Sequence, residues 1–156
     1  MSSAADPLKL KVAETVDRLA DELEGLSHRI HDTPELAFKE VQAHGWLADF
    51  LEKHGARVER GVGGLPTAFR ATIEGQGTGP TVAIMAEYDA LPGIGHACGH
   101  NVIATAGAGA GAALAAVRSQ LPKGRVQVIG TPATPASTSK PCRPRNSVSH
   151  PQAFTS

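Results

Sequence analysis

Cysteine is scarce in this sequence, with Cys98 and Cys142 its two thiols. Two cysteines cannot build the disulfide framework of a small secreted scaffold, and a reducing, cytoplasmic setting fits them best. No second cysteine lies near Cys98, so a redox module built on it has no support. An excess of either charge is missing too, because 15 basic and 15 acidic residues cancel. That balance points away from nucleic acid and anionic membrane as partners. Long apolar runs are also lacking. The N-terminal stretch MSSAADPLKLKVAETVDRLADELEG carries charges throughout and has neither a signal peptide's apolar segment nor a membrane span. The reading is a soluble, unexported chain.

What is present is enough for one domain with a real core, since 156 residues bury most of the surface they would otherwise expose. Charge is unevenly spread. The first 130 residues hold all 15 acids and 12 of the bases, about −3 (12 minus 15), leaving about +3 for the last 26. A boundary is expected there, with residues 134–156 forming a disordered Pro/Ser/Thr-rich tail that cannot offset its ordering entropy. Lys140, Arg143 and Arg145 lack interleaved aromatics and do not make a nucleic-acid patch.

Periodicity orders the rest. Val12, Val16, Leu19, Leu23, Leu26 and Ile30 recur at spacings of four and three, predicting one amphipathic domain helix over Leu8–His31. His28 and His31 near its end read as structural residues suited to exposed carbonyls, with a substrate-facing role open for His31. Thr33–Pro34 stops the helix. A second helix runs from about Lys39 to His54, with Val41, Leu47, Phe50 and Leu51 inward, Trp46 at the margin, and His44 and His54 toward solvent. Gly55 is its left-handed stop.

Strand-like runs follow at ARVER, PTAFRATIE and PTVAIMAE. GVGGL lacks a dinucleotide loop's glycine spacing, and GQGTG reads as a hairpin connection. Thr81–Ala86 is nearly continuous in apolar residues, as for a strand covered on both faces. Asn101–Leu121 is predicted as a buried, glycine-tolerant helix capped by Asn101 and anchored by Ile103, Leu114 and Val117. RVQVIG is then a strand, which makes Thr81–Gly130 a parallel β-α-β unit. The fold class expected is α/β: a three-layer mixed or mostly parallel sheet with flanking helices.

Between the apolar strand and that helix lies AEYDALPGIGHACGHN. His96, Cys98 and His100 alternate, so a locally extended backbone would aim all three to one side, and imidazole and thiolate are donors zinc prefers. Glu87 and Asp89 stand just upstream, as ligands or as groups that orient them. The position suits a site, since ligands bind beyond the carboxyl ends of strands in open α/β sheets.

GIGHACGHN, preceded by EYDALP and followed one helix later by VQVIGTPA, resembles the aminoacylase and amidohydrolase type of metallopeptidase, family 20. HRIHDTPELAFKE resembles that family's N-terminal segment, and the match covers about residues 8–133, the N-terminal part of a catalytic domain. Glu87-Tyr88-Asp89 is similar to a dipeptidase-like subgroup, where relatives more often have Asp-Met-Asp. The resemblance implies a two-metal site of zinc, sometimes manganese, that hydrolyses amide bonds of dipeptides or N-acyl amino acids. It implies Cys98 and His100 as metal ligands and Asp89 as an acidic residue near the metals, with His96 in the motif but not assigned as a ligand. A carboxylate general base and a ligand glutamate would directly follow a GTPA-like segment. Here Thr134 and Pro135 stand in those two places, after Gly130-Thr131-Pro132-Ala133. Later ligand histidines and the lid and dimerisation domain are not in the chain either. The expectation is a truncated or frame-shifted, inactive product that leaves an unpaired sheet edge.

Overall fold

The computed structural model describes residues 5–132. The expected tail over 134–156, with Thr134 and Pro135, lies outside the described residues.

The first helical stripe forms two helices, α1 (Ala5–Arg18) and α2 (Ala20–Asp32), joined at Leu19 without a loop. One physical reason for the break is Thr15. Its hydroxyl donates to the carbonyl of Lys11 at 2.8 Å, a back-bond that bends helices, and receives Arg18 Nη2 at 2.9 Å. Leu26 and Ile30 are buried, Leu8, Val12, Leu19 and Leu23 pack around them, and Val16 is left exposed.

Helix α3 (Val41–Lys53) stops at Gly55, whose φ of +91° is the left-handed conformation expected of it. Leu47, Phe50 and Leu51 face inward as predicted. Two residues differ. Val41, the first of the helix, stands clear of the core at 66% exposed, while His44 is buried edge-on to Phe69, ring centroids 5.9 Å apart. Its position beside Ala43 and Leu47 puts His44 on the inward stripe. His54, partly shielded, pairs with Glu22 of α2 at 3.2 Å.

Strands β1 (Arg57–Arg60), β2 (Phe69–Glu74), β3 (Thr81–Glu87) and β4 (Arg125–Thr131) form a mixed sheet in the order β1-β2-β4-β3. β4 is antiparallel to β2 and parallel to β3, giving the predicted β-α-β unit. GQGTG is therefore not a hairpin turn, because β4 inserts between the strands it connects. β3 is likewise not covered on both faces. It lies at the sheet's end, with Val82 and Met85 more than half exposed.

Helix α4 (His100–Ala116) crosses from β3 to β4. Gly99, at φ +77°, precedes the helix where Asn101 was expected as the cap. Asn101 is instead buried inside the first turn and donates to Ser27 Oγ at 3.0 Å. Val117 is buried and Leu114 partly so, but Ile103 is exposed. The glycines work as predicted. A Cβ on Gly111 would lie 2.6 Å from Val128 Cγ2 and 3.0 Å from Leu51 Cδ2, and one on Gly107 would lie 3.3 Å from Ala86 Cβ. Both α3 and α4 pack on the sheet face that carries Phe69, Ala86 and Val128, so the flanking helices found against the sheet occupy one face. Among the described residues no helix is long and apolar enough to cross a membrane.

Two substitutions separate glycine's packing role from its helical cost. Gly111→Ala is expected to lose about 1–2 kcal/mol, overpacking against Val128 and Leu51 outweighing the helix propensity gained. Gly25→Ala, in α2 with nothing within 4 Å of the new methyl, gains about 0.5–1 kcal/mol. Urea unfolding of both variants checks this, and equal shifts would refute the packing argument.

Candidate metal centre

The candidate motif does not run extended. Leu91 bridges back to Gly95, and Gly93, Gly95 and Gly99 take φ of +76°, +58° and +77°. A chain that turns at three glycines loses the two-residue alternation, so the three donors do not point to one side. His96 goes inward to 8% exposure, Cys98 is exposed, and His100 opens α4.

What the fold does bring together is His100, Glu87 and Asp89. His100 Nδ1 lies 2.9 Å from the Asp89 carbonyl oxygen and 2.9 Å from Asp89 Oδ1, while Nε2 is 3.4 Å from Glu87 Oε2. A carbonyl oxygen accepts only, so Nδ1 carries a proton. Nε2 faces the Glu87 carboxylate at a distance that a proton on Nε2 satisfies as well as a bound cation would. Imidazole and carboxylate are donor types that suit one side of a metal site. Among the described residues, however, no group of three or more His, Cys, Asp or Glu residues is arranged to hold an ion. Two donors fall short of the four of a closed zinc site.

Asp89 is 1% exposed, and neither carboxylate oxygen receives a well-directed hydrogen bond despite the nearness of Nδ1. Its surroundings come from the segment Pro34–Glu40. Leu36 bridges Ala90 in parallel, and the Ala90 N–H donates to the Glu35 carbonyl at 2.8 Å. The Glu35 carboxylate accepts from the free N–H groups of Gln42 and Ala43 at 2.9 Å, capping α3 from outside the helix. One residue thus ties the start of α3 to the end of β3.

Beneath lies a buried polar group that sequence reasoning missed. Glu40 is fully buried. Its carboxylate accepts from Phe38 N–H at 2.9 Å and Thr67 Oγ1 at 3.1 Å, and Phe38 is held at φ +64°. Burial, with Asp89 nearby, pushes Glu40 up to about 7. The Tyr88 hydroxyl donates to the Thr67 carbonyl, its ring stacks on Phe69 at 6.1 Å, and burial raises its pKa. Burial lowers His44 and His96, and His31, whose ring centroid is 6.4 Å away, adds to the effect on His96. Gly130 belongs to the same packing, since any Cβ there would collide with the Phe69 ring. A glutamate directly before a helix reads as a solvated first-turn acid, which is why Glu40 gave no signal.

No family model matches the chain. It is 44% identical over 145 residues to the Xaa-Arg dipeptidase of Mus musculus, covering 85% of this chain and 34% of that protein. Thermostable carboxypeptidase 2 of Saccharolobus solfataricus is 36% identical over 137 residues, 79% of this chain and 34% of that one. Among solved structures, a dinuclear metal binding peptidase of the M20 family from Bacillus subtilis superposes with TM-score 0.67 at 30% identity, covering 73% of this chain and 35% of that chain. The chain spans about a third of the length of the curated relatives it matches.

Glu40 supplies a pH test of this end of the fold. In the unfolded chain it ionises near 4.5, whereas the folded protein holds its proton to about 7. Folded chains therefore bind more protons in that window, and stability falls as pH rises through it, by up to about 3 kcal/mol. Buried neutral His44 and His96 act in the opposite sense, losing stability as pH falls below 6.5. Glu40→Gln can keep both hydrogen bonds, so relative to the parent it should gain stability between pH 5 and pH 8 by urea unfolding. An unchanged difference across that range would sink the assignment.

Proposed function

The chain is a homologue of the M20-family peptidases and amidohydrolases, and from that kinship we propose that Cys98 and His100 are metal ligands of an amide-hydrolase site for dipeptides or N-acyl amino acids. The observation that carries the reading is the His100 ring, with Nδ1 committed to Asp89 and Nε2 turned to Glu87. In this role Asp89 fixes the tautomer and orientation of His100, as the partners of metal-bound imidazoles do. Glu87 stands beside Nε2, and Cys98, exposed two residues before His100, is assigned as the second ligand from the kinship alone. A reducing cytoplasm keeps that thiol available. A divalent cation, zinc or manganese, supplies polarisation of the scissile carbonyl and acidification of a bound water.

The same reading carries a restriction. Water activation needs a base, and the residues after Gly130-Thr131-Pro132-Ala133 are Thr134 and Pro135. A threonine hydroxyl is no base at neutral pH and proline offers no side-chain donor. The chain as sequenced is thus a cation binder of hydrolase descent with little or no turnover of its own.

Purified chain is expected to retain zinc by elemental analysis, with affinity falling about 10-fold or more in His100→Ala. Dipeptides and N-acyl amino acids should be hydrolysed no faster than in buffer. Turnover abolished by Cys98→Ala would overturn the restriction, and zinc binding indifferent to both substitutions would overturn the site.

A further inference from the structure

Two buried carboxyl groups lie at the site's end of the sheet, and they are held differently. Asp89 is 1% exposed, with Oδ1 2.9 Å from His100 Nδ1. Glu40 is fully buried, and its two oxygens meet one partner each, the Phe38 N–H and the Thr67 hydroxyl. Phe38 stands at φ +64°, an uncommon conformation for a residue with a side chain, and its amide helps to fix the carboxyl.

Burial disfavours an ionised carboxylate, and two of them in one dry region cannot both ionise cheaply. Asp89 has an imidazole N–H beside it, whereas no positive group faces Glu40 among the described residues. The titratable groups around Glu40 are Asp89 and Tyr88 at the end of β3 and His44 one turn along α3, the last kept neutral by burial. On its own segment, Glu35 is turned onto the amides of Gln42 and Ala43, and Lys39 is exposed. Glu40 is therefore the carboxyl that keeps its proton. Thr67 serves both of its states, because a hydroxyl accepts from a neutral carboxyl and donates to an ionised one across the same 3.1 Å contact.

Resting on the reading of Cys98 and His100 as cation ligands, we propose that Glu40 is the proton-linked element of that site. When a divalent cation occupies it, the O–H bond of the Glu40 carboxyl breaks and the proton passes to solvent. The reason is electrostatic. Glu40 faces a strand end that carries Glu87 and Asp89, and a cation held at His100 offsets the negative charge that keeps Glu40 neutral. Buried groups join the two places without a gap: Glu40 bonds Thr67, the Thr67 carbonyl accepts from the Tyr88 hydroxyl, and the next residue is Asp89. By linkage, cation uptake is opposed at pH values where Glu40 holds its proton and favoured as pH rises through its range.

Calorimetric titration of zinc into the full chain at pH 6.5, in two buffers of different ionisation enthalpy, counts the protons released. The parent should release about half a proton or more beyond Glu40→Gln, since a group that ionises at about 7 is still mostly protonated there. Protons leaving Cys98 and His100 are common to both proteins and cancel in the difference. Carbon-13 labelling of the glutamate carboxyls reads Glu40 directly. The resonance missing from Glu40→Gln should lie near the protonated position at pH 6.5 without zinc and move to the carboxylate position at saturation. Equal proton release by parent and variant, or a Glu40 resonance unmoved by zinc, would overturn the linkage and leave the site standing. Zinc uptake by neither protein would overturn the site and the linkage with it.

Discussion

Helix α4 lies against the sheet at a separation that side chains would not allow, and the placement of the chemically active groups depends on that contact. Gly107 rests on Ala86 and Ile84, Gly111 on Val128 and Leu51, and Gly109 under Leu23 of α2. Each glycine costs up to about 1 kcal/mol of helix propensity relative to alanine, and burial of the apolar residues above and below offsets it. His100 is the first residue of this helix. Its height above β3 is set by the glycines that follow it, and that height leaves Nε2 at 3.4 Å from Glu87.

The strand end is fixed from the other side. Tyr88 separates Glu87 from Asp89 and is fully buried, stacked on Phe69 and bonded to Thr67, which in turn donates to buried Glu40. A tyrosine held at ring and hydroxyl stops the strand end from rotating, so both acids stay beside the imidazole. Glu35 adds a tether by capping α3 while its carbonyl holds the backbone of Ala90. Pro34–Glu40 thus serves as the frame of a site to which it contributes no donor to a metal.

Periodic features were legible in the sequence, and features that depend on tertiary partners were not. All four strands, the second helix, the glycine-rich crossover helix and the parallel β-α-β unit follow from spacing alone. The break at Leu19 was hidden because it arises from a threonine back-bond inside an intact apolar stripe. β4's insertion between β2 and β3 was hidden because pairing order is not a local property. At the candidate site, Glu87, Asp89 and His100 do gather, but the alternation argument that also included His96 and Cys98 assumed an extended backbone that three left-handed glycines do not provide. Glu40 was missed because its burial is set by Thr67 and Tyr88, far away in sequence.

The insertion of β4 also dictates the order in which the sheet can be completed. β1 and β2 form a local hairpin, while β3 has no strand to pair with until β4 is made. Until residues 125–131 arrive, these two halves share no strand-to-strand hydrogen bond, and the distance along the chain between β2 and β4 makes their pairing slow. During synthesis the sheet therefore waits in two pieces for a central strand made after both. A ribosome that stalls before Arg125 would release two sheet pieces held together through α4 and the 34–40 segment but not by strand pairing.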